Sequence, residues 1–171
     1  GPLTVSDLRH VNPLTRAFID AAGQAGLPHN HDFNGASQFG AGLYQVTQRD
    51  GARCSAAVAF LNPAKSRPNL TVQTGALVER VTFDAQRASG VRYSLRGAPK
   101  VAQASREVIL CGGSINSPQL LMLSGVGGAD ELRGHGISVV ADSPGVGANL
   151  QDHLAVCTLQ HETRRTSYDR A

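Results

Sequence analysis

The chain has 171 residues, 41% hydrophobic and 17% charged, which places it among globular proteins and excludes a disordered chain. Its net charge of +3 comes from lysines and arginines scattered singly or in pairs. There is no basic stripe, so no nucleic-acid partner is expected, and the densest cluster, Arg164-Arg165, reads as a solvated turn. No apolar run reaches the length of a membrane span, and no signal-peptide pattern opens the sequence.

Aromatic residues make up only 5% and Trp is absent, so a core must be built from Val, Leu, Ile and Ala. Cys54, Cys111 and Cys157 are odd in number and far apart, with no C-x-x-C and no His at ligand spacing. They are expected to be reduced, largely buried thiols of a cytoplasmic protein, and no metal site is expected.

In chain order, residues 13–26 form a helix capped by Asn12, with Pro13 in its first turn and Gly26 at its stop. Residues 28–42 read as a long polar loop carrying His29 and His31. Residues 43–47 alternate like a strand, a turn follows at 49–53, and Ser55 caps a short helix over 56–61 that stops before Pro63. Strands are expected at 69–74, 76–83 and 90–95, the last two joined by a turn at 84–87. A hairpin tip at 97–99 returns the chain as a buried strand over 106–111. A helix then begins at Ser117-Pro118, with Ser117 as N-cap and Leu120 to Leu123 packed inward, and ends at Gly125. A short helix over 129–134 and strands at 137–140 and 155–159 complete the reading: α+β content around a sheet.

The segment from Gly112 to Gly127 carries the most chemistry. A strand ending on paired glycines before a helix can bring backbone N–H groups up to a cofactor; a tight turn with no ligand has the same spacing. No G-x-G-x-x-G stands in a strand-turn-helix setting. Ser124-Gly125-Val126-Gly127 lacks the Gly two residues before Ser that a nucleophile elbow requires. His153 is expected to make an ordering hydrogen bond with Asp152 or backbone, and His161 to lie in solvent.

The pattern Gly113-Ser114-Ile115-Asn116-Ser117-Pro118, paired aliphatics, then Ser124-Gly125-Val126-Gly127 resembles a signature of the glucose–methanol–choline (GMC) oxidoreductase family. Asp32-Phe33-Asn34-Gly35, Tyr44-Gln45-Val46-Thr47, the block at 67–72, Gly90-Val91-Arg92-Tyr93 and the block at 144–153 are similar to its choline-dehydrogenase-like branch, in order. Cys111, Gly128 and Ser143 depart from the usual residues at turns, and Cys111 would leave a thiol near the flavin. The resemblance implies part of an FAD-binding Rossmann-like domain joined to part of an antiparallel-sheet substrate domain. On it, residues 1–65 are a substrate-domain or lid segment, 66–127 part of the FAD-binding domain, and 128–171 the start of the substrate domain.

The same resemblance implies a flavoprotein oxidising a small alcohol to an aldehyde, with the electron acceptor unassigned and attachment of the whole protein to the inner membrane left open. It assigns the main chain of Val78 to the adenine of FAD, and Gly112 and Gly113 to its phosphate or ribitol region; an ordinary strand position is the other reading of Val78. The family's catalytic His and dinucleotide fingerprint have no counterpart here, so no catalytic residue is assigned. The chain reads as an internal fragment, inactive alone and holding FAD weakly if at all; a non-catalytic binding module or pseudogene remnant of the same fold is the alternative.

Overall fold

The computed structural model describes residues 1–159 and Thr163; the expectations for His161 and for Arg164-Arg165 lie outside the described residues. The chain divides into two compact units, one built on residues 1–72 and the described residues beyond 156, the other on residues 73–156.

In the first unit, helix α1 (Pro13–Gln24) starts as its sequence dictates. The Asn12 side chain accepts from the Leu14 N–H at 2.8 Å, and Pro13 occupies a position whose N–H would have had no partner. The loop after it is pinned by Asn30, whose N–H donates to the Ala41 carbonyl at 2.8 Å and whose side-chain amide donates to the Ser37 carbonyl at 2.9 Å. The strand expected at 43–47 does not form. Only Val46 pairs, with Ser6, because the hairpin lies further on: β1 (Gln48–Arg49) and β2 (Ala52–Arg53) close around Asp50 and Gly51, both at positive φ. The helix expected to stop before Pro63 instead runs through it. A π-helical turn over Ala57–Leu61 passes directly into α2 (Asn62–Ala64), so the helix carries Pro63, which has no N–H to donate, immediately after its wider turn. Residues 69–74, which span the end of this unit and the start of the next, join no ladder among the described residues.

The second unit is built on an antiparallel meander of β3 (Ala76–Asp84), β4 (Arg87–Leu95) and β5 (Ala98–Gln103), with β4 in the middle. The tip expected at 97–99 sits one residue earlier. Arg96 and Gly97, at φ 52° and 81°, make a two-residue turn of the kind that matches strand twist, which lets β5 begin at Ala98. Pro99 is tolerated because β5 is an edge strand. With β5 occupying the flank of β4, the expected buried strand over 106–111 is unpaired, and Ile109 is 73% exposed.

Helix α3 (Gly113–Leu123) begins four residues before the expected Ser117, which is not its N-cap; the Ser117 hydroxyl accepts from the Gly112 N–H at 2.9 Å, and Pro118 falls inside the helix. Leu120, Leu121 and Met122 are half-buried while Leu123 is exposed, because α3 has protein on only part of its circumference among the described residues. Then come β6 (Val126–Gly127), α4 (Ala129–Gly134) and β7 (Ala141–Asp142). β6 and β7 pair in parallel, replacing the strand expected at 137–140, because the Val140 and Ala141 N–H groups both turn to the Gly125 carbonyl. α4 has Gly128 at its cap position and no side chain of its own there; the Asp142 carboxylate takes the Ala129 N–H at 3.0 Å instead. Leu132 of α4 is 1% exposed. Residues 155–159 form no strand and lie exposed.

Of the cysteines only Cys54 is buried; Cys111 and Cys157 are exposed, contrary to expectation, because the segments carrying them join no ladder among the described residues.

Candidate functional site

The edge of β3 opposite β4 carries no strand among the described residues. An edge of this kind presents main-chain donors and acceptors in alternation, and which residues present them depends on register. Val81 fixes the phase. Its N–H donates to the Ser124 hydroxyl at 2.8 Å, so its main chain points away from β4. Val81 stands opposite Val91, and β4 pairs regularly with β5 from Gly90 to Leu95. Alternation along β4 therefore turns Arg92 toward β3 and Tyr93 toward β5. Val78 is the partner of Tyr93, so the Val78 N–H and C=O also point out of the ladder, onto the free edge.

That arrangement depends on an irregularity in β3. Val78 pairs with Tyr93 and Arg80 with Arg92, so Glu79 is an extra residue with no partner, and β3 bulges there. A second irregularity follows at Ser89, which restores the register before the turn. The Glu79 carboxylate binds the Arg92 Nε at 2.8 Å.

Val78 and Gly112 border one cleft of about 720 Å³, together with Ala76, Leu110, Asn116 and Leu120. The volume is within the range of small-molecule and cofactor sites. Its lining holds no Asp, Glu, Lys, Arg or His: it is made of aliphatic side chains and Cys111, with the amides of Asn116 and Gln119 and the hydroxyl of Ser117. Gly113 does not line it. It stands at the corner into α3 with φ 82°, a left-handed backbone that disfavours any side chain, and nothing lies within 4 Å of where a Cβ would project. Gly112 is tight for a different reason, since a Cβ there would lie 3.1 Å from Asn116 Cβ and 3.3 Å from the Ser117 N, inside its own helix turn. The structure thus brings Val78 and Gly112 to one cleft and sets Gly113 beside it.

Elsewhere, the His153 backbone N–H donates to the Asp152 carboxylate at 2.8 Å, so the ordering bond expected for this residue uses its main chain. The rings of His29 and His31 meet edge to face with centroids 4.0 Å apart. Among the described residues no three His, Cys, Asp or Glu side chains gather in a metal-holding group.

Two residues central to this geometry were not singled out for it from the sequence. Ser124 is buried, and its hydroxyl bridges the free edge of β3 and the Leu120 carbonyl of α3. Glu79 makes the bulge. A serine at a helix end before glycine gives no local sign of a distant N–H, but the unbroken Leu77-Val78 followed by Glu79-Arg80-Val81 breaks a two-residue alternation, and that break was legible.

Residues 1–155 match the GMC oxidoreductase family model. The chain belongs to the GMC oxidoreductase family. It is 52% identical to mitochondrial choline dehydrogenase of Homo sapiens over 164 residues, 96% of this chain and 28% of that protein. It is 48% identical to an alcohol dehydrogenase [acceptor] of Pseudomonas putida, covering 97% of this chain and 30% of that protein. Among solved structures, an FAD-dependent oxidoreductase from Chaetomium thermophilum superposes with a TM-score of 0.83 at 31% identity, covering 89% of this chain and 27% of that one. Pyridoxine 4-oxidase from Mesorbium loti superposes with a TM-score of 0.77 at 34% identity, covering 84% and 28%. The GMC chain therefore spans less than a third of the length of these relatives, and the mixed α and β content expected from its sequence is that of its structural neighbours. No helix among its described residues is long and apolar enough to cross a membrane.

Proposed function

We propose that this chain supplies the adenine-side wall of the FAD site in a flavin-dependent oxidoreductase that converts a small primary alcohol to an aldehyde. One observation carries the reading: the main chain of Val78 faces the free edge of β3 and borders the same cleft as Gly112. An adenine edge offers one acceptor and one donor side by side, and a strand-edge N–H and C=O match it without a charged side chain. The uncharged lining suits a flat aromatic base, and the open corner at Gly113 leaves room for the more polar part of a dinucleotide. FAD, when bound, would supply the hydride acceptor for oxidation of the alcohol carbon, and the base that takes the hydroxyl proton is not assigned to this chain. This chain's own contribution is binding and orientation: the β3 edge reads the base, α3 forms the opposite wall, and Asn116 and Gln119 offer amide hydrogen bonds inside the cleft.

Exposed apolar side chains around the cleft support placement within a larger protein. Leu77 and Ile109, which line it, are 70% and 73% exposed, and contiguous apolar surface of this kind marks a contact. We assign residues 66–127 to the FAD-binding domain and residues 1–65 and 128–171 to the substrate side.

The test compares FAD with its etheno-adenine derivative, whose adenine edge is blocked, on the whole protein containing this chain. Val78→Pro removes the N–H while breaking no bond to β4, since that N–H points outward. The expected result is a wild-type preference for FAD that Val78→Pro abolishes. Equal affinity of the wild-type protein for the two ligands would overturn the reading.

A further inference from the structure

We infer that Glu79 and Arg92 are positioning residues for the adenine contact, because they hold the bulge that decides which residue of β3 turns its main chain to the free edge. The inference rests on the flavin reading of Val78. Val81 is anchored outward by Ser124. Counting back from it by twos in a regular strand would turn Glu79 and Leu77 outward and commit Val78 to bonds with β4. The extra residue at Glu79 shifts the count by one, and Val78 takes the outward place. The bulge is thus the device that aims the donor and acceptor.

Its local electrostatics are otherwise unfavourable. Arg80 and Arg92 stand directly opposite one another, and like charges in that relation repel. Glu79, the inserted residue, answers this with its carboxylate on the Arg92 Nε at 2.8 Å. Removing the carboxylate leaves two guanidinium groups facing across the pair, which favours a register that separates them. Removing the Arg92 guanidinium leaves Glu79 without its partner. Both side chains are partly exposed, 42% for Arg92 and 33% for Glu79, so solvent screens the pair and the effect is modest.

The measurement is the ratio of dissociation constants for etheno-FAD and FAD in the whole protein. The two ligands differ only at the adenine edge, so a general loss of stability leaves the ratio unmoved. Glu79→Gln and Arg92→Gln are each expected to lower the wild-type ratio by roughly two- to fivefold, the scale of a part-exposed ion pair. The double variant is expected to fall no further than either single one, because the two groups act as a unit. Single variants that keep the wild-type ratio, or a double variant whose losses multiply, would overturn the positioning role while leaving the Val78 reading standing. A wild-type ratio of one overturns both. If Glu79→Gln does not accumulate, Arg92→Gln carries the comparison.

Discussion

Replacing Ser124 with Ala tests how the edge of β3 is anchored. The Ser124 hydroxyl accepts the Val81 N–H at 2.8 Å and donates to the Leu120 carbonyl, and Ser124 and Val81 are 7% and 5% exposed. In the alanine variant the Leu120 carbonyl keeps a partner, the Ser124 main-chain N–H at 3.1 Å. The Val81 N–H loses its partner in a buried setting, so it bears the penalty of an orphaned buried donor, about 1–3 kcal/mol. Native-state hydrogen exchange reads that amide directly. Its protection is expected to fall by a factor of about 5 to 150, the equivalent of that free energy, while amides of β4 bonded to β5 change far less. Unchanged protection at Val81, or an equal loss across all three strands, would refute the assignment of Ser124 as the anchor.

Gly125→Ala is expected to be more damaging, because Gly125 has φ 91° and a Cβ would collide with the Ser138 carbonyl; the left-handed backbone alone costs about 1–2 kcal/mol, and soluble yield with the thermal midpoint checks it. Asp142→Ala removes the carboxylate that caps α4 from a distance and should cost about 0.5–2 kcal/mol, read as a lowered thermal midpoint that Asp142→Asn largely restores. The isolated 171-residue polypeptide is expected to purify without stoichiometric flavin absorbance; a yellow preparation with one FAD per chain would contradict the reading that further sequence completes the site.

Features set by near neighbours in the chain were legible. α1 begins at Asn12-Pro13 because an Asx side chain and a proline satisfy the first turn from within it, and α4 occupies residues 129–134 as expected. The turn at Asp50-Gly51 follows from residues that accept positive φ. The candidate corner at Gly112-Gly113 was legible too, as a break between an apolar run and a helix. Its exact helix start was not, because a serine that could cap its own helix instead binds the Gly112 N–H one turn back.

What tertiary structure alone decided is pairing. Residues 43–47, 69–74, 106–111 and 155–159 all have strand-like composition, yet a strand exists only where another backbone satisfies its N–H and C=O groups, and among the described residues these segments gain no more than the single bridge of Val46 to Ser6. β5 took the flank of β4 because a two-residue turn delivers residues 98–103 there first, at the least loss of chain entropy. The sequence by itself determined the family, the Asn12 cap of α1 and the turn at Asp50-Gly51, all of which are written in short spans. Only the folded register, a bulge at Glu79 read from Val81 and Tyr93, decided that the main chain of Val78 faces outward, because an N–H has no direction until its strand has a neighbour.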